Sequence, residues 1–222
     1  MRKFKTIILG TLVCAMLFVA TACGEDKETT EATTEATTSE EATTEATTEA
    51  TTEATTAATT EEVVVSVDMF ADTGLPTFEL SSEDLKDGAW DPVISSVDDG
   101  KNVSPQLSWE PVPEATSYVI YMVDTSAGNW MHWKVNGVTE TNLPQGYSSS
   151  EEYIGPYPPG GTHSYDVYVF ALKQPVEIAR GPLNCKTSLF TKYAMELDAV
   201  TEGSSGNIIS YGYLPGTYTR EK

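Results

Sequence analysis

Histidine occurs only twice in 222 residues, cysteine three times, and basic residues number 13 against 33 acidic ones. Each scarcity excludes something. A formal net charge of −20 repels nucleic acid and offers anionic lipid headgroups no basic face. Only one sustained apolar run exists, from Ile7 to Ala20, and it is too short to be a full membrane span. With two histidines to choose from, any imidazole chemistry is confined to His132 and His163.

What is present at the start explains the rest. Arg2, Lys3 and Lys5 precede the apolar run, which gives the charged head and short hydrophobic middle of a secretory signal over residues 1–22. The run closes in Ala20-Thr21-Ala22-Cys23, which resembles the bacterial lipoprotein processing box and implies lipidation of Cys23. The alternative is an ordinary signal cut nearby, with Cys23 left as a stray thiol. Cys14 then falls inside the signal, so Cys185 alone remains for the folded part and no internal disulfide is expected. Cys185 is expected to be a small, partly buried apolar residue. The expected location is the outer face of the cell membrane, anchored by the lipid on Cys23, whose two chains meet the requirement for stable anchoring.

Residues 23–62 read as the lipidated cysteine followed by a disordered tether. From Thr29 to Thr60 the sequence is nearly pure Glu, Ala and Thr, without an aromatic residue and without Leu, Ile or Val, so it has nothing to bury. Its Thr-Thr pairs and like charges four apart oppose a helix. A charged coil of this length spans roughly 35 Å or more. The tether carries twelve acidic groups against Lys27, and residues 63–222 carry 21 against 9 basic ones, so the domain is acidic in its own right.

That domain has short apolar runs rich in Val, Ile, Tyr and Trp, punctuated by Gly, Pro and Asn, and they read as strands. The clearest are Ser117 to Val123, Trp130 to Asn136, Ser164 to Leu172 and Asn207 to Tyr213. Near-continuous apolar character in the first and third marks central strands covered on both faces, which predicts a β-sandwich. One helix is predicted from Leu189 to Val200, with Leu189, Tyr193, Leu197 and Val200 on its buried side. Period two places Trp130, His132 and Lys134 on one strand face and Met131, Trp133 and Val135 on the other. His163 shares a face with Tyr165, and Asp124 ends an apolar strand where it meets its loop. Such a set suits a small polar pocket for anions, in which Asp124 fixes a histidine tautomer. Each histidine bridging backbone groups beneath a loop is the competing reading.

Five motifs in order add to this. Asn102-Val103-Ser104-Pro105-Gln106-Leu107-Ser108-Trp109 with Val112-Pro113-Glu114-Ala115-Thr116, the strand into Asp124-Thr125-Ser126-Ala127, His132-Trp133-Lys134-Val135-Asn136, Gly155 through Tyr165, and Gly216-Thr217-Tyr218-Thr219-Arg220 together resemble the phosphatidylethanolamine-binding protein family, and its bacterial Raf-kinase-inhibitor-like branch in particular. The resemblance covers about Phe78 to Arg220. It implies an all-β-dominated fold, a Greek-key β-sandwich with one short C-terminal helix. It also implies a pocket of Asp124, His132, His163 and Tyr165 rimmed by Pro158 and Pro159, which accepts phosphate, acetate or a phospholipid headgroup. Three departures stand out: Thr125 and Ser126 replace the proline and second acid of the family's "DPDA" element, and Ser164 replaces the arginine of "HRY". Alternation points Ser164 away from His163.

The expected function is a binding module, with no cofactor, no metal and no enzymatic activity. Two alternatives stay open. One is inhibition of a peptidase or another protein partner in the envelope, since the family includes such inhibitors. The other is a metal-dependent hydrolase using Asp124, His132 and His163.

Overall fold

The computed structural model describes residues 65–221, so the expected signal, the lipidated Cys23 and the tether lie outside the described residues. Among the described residues eleven strands run in chain order: β1 Thr77–Phe78, β2 Leu80–Ser81, β3 Leu85–Lys86, β4 Ala89–Trp90, β5 Leu107–Trp109, β6 Ser117–Asp124, β7 Trp130–Val138, β8 Asn142–Leu143, β9 Gly161–Leu172, β10 Ile208–Leu214 and β11 Thr217–Arg220. Among the described residues the one α-helix, α1, is Phe190–Met195. Among the described residues no helix is long and apolar enough to cross a membrane.

β6 and β9 lie at the centre because their β-branched and aromatic side chains tolerate burial on both faces. They pair antiparallel in continuous register from Ser117↔Leu172 to Asp124↔Tyr165. β7 flanks β6, while β10 and then β11 pair with successive halves of β9 in an eight-stranded sheet; β2, β5 and β8 form a separate three-stranded sheet. Alternation along β6 sorts its residues between two cores. Tyr118, Ile120 and Met122 meet Val167, Val169 and Ala171 of β9 and pack against Leu80, Leu107, Trp109 and Leu143 of the small sheet. Val119, Tyr121 and Val123 point the other way, with Tyr168, Phe170 and Leu172, and are covered by Phe70, Phe190, Ala194 and Leu197. Each fully buried side chain of this kind contributes about 1.5–3 kcal/mol. The strand-dominated sandwich with one short helix is therefore the fold.

The cover on the outer core includes the start of the domain. Ser66 Oγ donates to Asp166 Oδ1 at 2.9 Å and meets Ser164 Oγ, Tyr211 Oη donates to Asp68 Oδ2 at 2.7 Å, and the Phe70 ring lies 5.1 Å from both Tyr168 and Phe170. Asp166 is fully buried, and burial pushes its carboxyl above the usual range despite the hydroxyls of Ser164, Ser66 and Tyr213 bonded to it. Ser164 thus points away from His163, as alternation requires.

Three expectations need correction. The helix is shorter than predicted and turned by one residue. Phe190 and Ala194 are its buried positions, a 3₁₀ turn Glu196–Asp198 ends it and buries Leu197 as expected, and Leu189 and Val200 are exposed. The reason is aromatic: Phe190 packs edge-on against Phe70 and Tyr121, an anchor that Leu189 cannot supply. Cys185 is exposed, because it lies on a bend whose carbonyl accepts from Met131 N at the edge of β7 while its side chain faces solvent. Strict alternation along β7 also fails, with consequences for the site.

Candidate functional site

β6 and β7 change register between Met122 and Val123: Met122 pairs with Trp133 and Val123 with Met131, which leaves His132 as an extra residue. This is a β-bulge, and a bulge re-aims a side chain that alternation would send elsewhere. His132 and Trp133 both turn to the inner face, whereas period two would separate them. His132 is then held twice by one residue: its Nδ1 donates to Ile154 O at 2.7 Å and its own carbonyl accepts from Ile154 N at 2.8 Å. Nε2 is left as the free ring atom. His132 is 3 % exposed, and its ring sits edge-on to Tyr165 at 5.0 Å and to Tyr157 at 5.4 Å.

Asp124 ends β6 and caps the 3₁₀ turn Thr125–Ala127, its Oδ1 accepting from Ala127 N at 3.0 Å. Its Oδ2 takes His163 Nδ1 at 2.7 Å. That bond puts the proton on Nδ1 and presents Nε2 outward. The Asp124 side chain is 4 % exposed and that of His163 is 19 % exposed, so the imidazole is the member of the pair that a ligand reaches. Tyr165, opposite Asp124 in register, stacks on His163 at 6.4 Å. Burial, reinforced by the Asp124 charge, pushes its phenol well above the usual tyrosine range, so it remains a hydroxyl donor.

The loop Gly155–Gly160 closes the site from the side. Gly155 N donates to Asn102 Oδ1 at 2.7 Å, Ser96 N donates to Pro156 O at 3.1 Å, and Arg220 Nη1 donates to Pro158 O at 3.3 Å. Pro158 is buried and Pro159 exposed. Asp124, His132, His163 and Tyr165 therefore converge. Residue periodicity placed Trp130 on the face of His132 but missed Tyr157 and Asn184. Tyr157 meets both His132 and Trp130, and Asn184 Oδ1 accepts from Trp130 Nε1 and Tyr157 Oη. The Gly-Pro-Tyr-Pro-Pro stretch was a signal for Tyr157, but Asn184 lies in a segment with no periodic pattern to read.

Among the described residues, no group of three His, Cys, Asp or Glu side chains is placed to hold a metal ion. The carboxylate is already shared between His163 and a backbone N–H. A cavity of about 890 Å³ lies elsewhere, between Gln174–Arg180 and Tyr193–Glu202, and none of the four converging residues lines it.

Burial also holds the His132 imidazole below the usual histidine pKa, outweighing the carbonyl of Ile154 and the Asp124 charge, which act the other way. The fold thus binds this proton less readily than the unfolded chain does. As pH falls below about 6.5, the unfolded chain takes up the proton first, and the fold loses stability on acidification through that window. Calorimetry from about pH 7.5 down to about pH 5.5 is expected to show a falling Tm, with a shallower fall in His132→Gln. Identical slopes would remove His132 as the cause.

Residues 81–219 match the family model described as phosphatidylethanolamine-binding protein. A UPF0098 protein of Methanothermobacter thermautotrophicus is 30% identical over 143 residues, 55% of this chain and 86% of that one. The UPF0098 protein YbhB of Escherichia coli is 30% identical over 163 residues, 60% of this chain and 89% of that one. A crystal structure of a phosphatidylethanolamine-binding protein homolog from Chlamydia trachomatis aligns with a TM-score of 0.49 at 26% identity, covering 65% of this chain and 99% of that one.

Proposed function

The chain belongs to the phosphatidylethanolamine-binding protein family, and on that premise we propose that its domain binds a small anionic ligand of phosphate or phospholipid-headgroup type at Asp124, His132, His163 and Tyr165. In this reading the lipid on Cys23 holds the domain outside the cytoplasmic membrane, and the site binds without catalysing.

One observation carries the reading: the Asp124–His163 pair, in which a buried carboxylate fixes an imidazole whose Nε2 points outward. A phosphate oxygen meets Nε2 when the ring carries its second proton, and the Tyr165 hydroxyl offers a further donor. Both groups are oriented before a ligand arrives, so little ordering entropy is lost on binding. Among the described residues, His132 Nδ1 is bonded to a backbone carbonyl and His163 Nδ1 to a carboxylate, with no serine or cysteine bonded to either ring, which favours binding over acyl transfer.

A thermal shift tests this. A ligand present at a hundred times its Kd stabilises by about 2.7 kcal/mol, a rise in Tm of roughly 5–10 °C for a domain of this size. Inorganic phosphate or glycerophosphoethanolamine is expected to raise the wild-type Tm, and His163→Ala to abolish the rise. A variant that responds like wild type would place the ligand elsewhere.

A further inference from the structure

The pair that carries the proposed function has no charge to spare. With His163 protonated, it and Asp124 sum to zero, and His132 is held neutral by burial. A bound anion therefore needs its charge met from outside the four residues. Arg220 is spent on Asp98 and Pro158 O, and Lys134 donates to Gly181 O.

Lys186 is placed to meet it. Residues 184–187 run antiparallel along the edge of β7: Asn184 N donates to Met131 O, Met131 N to Cys185 O and Thr187 N to Asn129 O. Lys186 is the bridge partner of Trp130, Trp130 pairs with Asp124, and Asp124 pairs with Tyr165. Partners directly opposite in a sheet share a face. Trp130, Asp124 and Tyr165 thus form one row across three strands, and the bridging Lys186 extends it past the edge of β7 on the site's side of the sheet. The lysine side chain lies over Gly128, the left-handed residue that closes the turn capped by Asp124, with Cε 2.6 Å and Nζ 3.2 Å from where a Cβ would sit. Among the described residues Lys186 forms no ion pair.

The same row lacks a group for a second ammonium. Both oxygens of Asp124 are committed, and Ser126, where the family's "DPDA" element has an acid, turns its Oγ to Ser164 N at 2.9 Å. Trp130 and Tyr157 offer aromatic faces to a cation, but Lys186 already stands opposite Trp130. Resting on the proposed anion site, we infer that Lys186 is a specificity-determining residue which makes the site prefer a phosphate monoester, carrying two negative charges, over a zwitterionic phosphoethanolamine diester.

Titration calorimetry with the full chain tests this, using glycerol 3-phosphate and glycerophosphoethanolamine. Wild type is expected to bind the monoester about tenfold more tightly at low ionic strength, with the preference shrinking as salt rises. Lys186→Gln is expected to weaken the monoester about tenfold while leaving the diester within about twofold, and Lys186→Arg to keep the preference. His163→Ala is expected to lose both ligands. Flotation with phosphatidylcholine vesicles carrying either phosphatidic acid or phosphatidylethanolamine identifies the source: capture by phosphatidic acid alone supports a lipid monoester, and binding of glycerol 3-phosphate without capture supports a soluble one. If Lys186→Gln keeps the wild-type preference while His163→Ala loses both ligands, the role of Lys186 is overturned and the anion site stands. If His163→Ala binds as wild type does, the anion site falls, and this inference falls with it.

Discussion

Replacing Gly155 by alanine is expected to cost the domain about 3 kcal/mol, at the upper end of what overpacking does, and to lower Tm by roughly 10 °C. A Cβ there would sit 2.0 Å from Ile94 O and 2.9 Å from the backbone of Ser95 and Ser96. None of these atoms is the far end of a flexible side chain, so the strand-to-loop junction itself must move. The displaced residues are those that fix the site: Ile154 holds the His132 ring, and Gly155 N is tied to Asn102. Weakened phosphate binding should accompany the lower Tm. A variant with unchanged Tm would show that the junction yields more easily than its backbone contacts indicate.

Trp133→Ala is expected to cost still more, about 4 kcal/mol, because it removes a large core side chain and leaves a cavity. Trp133 is fully buried, packs edge-on to Tyr153 at 5.7 Å, and donates from Nε1 to Ser148 Oγ at 2.9 Å. Tyr153 in turn donates to Ile94 O at 2.9 Å, so the loss loosens the same junction from inside. Denaturant unfolding should show a lower midpoint with an unchanged slope. A loss below about 1 kcal/mol would mean that the inner core collapses into the space, contrary to the usual cost of a tryptophan deletion.

Much of this architecture was legible before any coordinates. The apolar runs of β6 and β9 announced strands buried on both faces, and Asp124, His163 and Tyr165 could be assembled from strand ends and alternation. The facing of His132 could not. A bulge inserts one residue into a ladder without leaving a compositional mark, so period two assigned His132 and Trp133 to opposite faces when the chain brings them together. The helix was misread for a related reason. Spacing alone cannot choose between the stripe through Leu189 and the one through Phe190, and the aromatic neighbours that decide it come from distant parts of the chain. Lys186 was invisible because its relation to Asp124 passes through pairing across strands, not through proximity in sequence.

The docking of Ser66, Asp68 and Phe70 onto the outer face of the sheet also bears on how the domain would withstand pulling or digestion. A load arriving along the preceding residues would be taken up first by a buried aromatic plug and hydroxyl–carboxylate bonds behind β9. The ligand side of that strand would feel it only after those had given way. Proteolysis would likewise meet resistance between Ser66 and Phe70, where the chain is held by the same contacts.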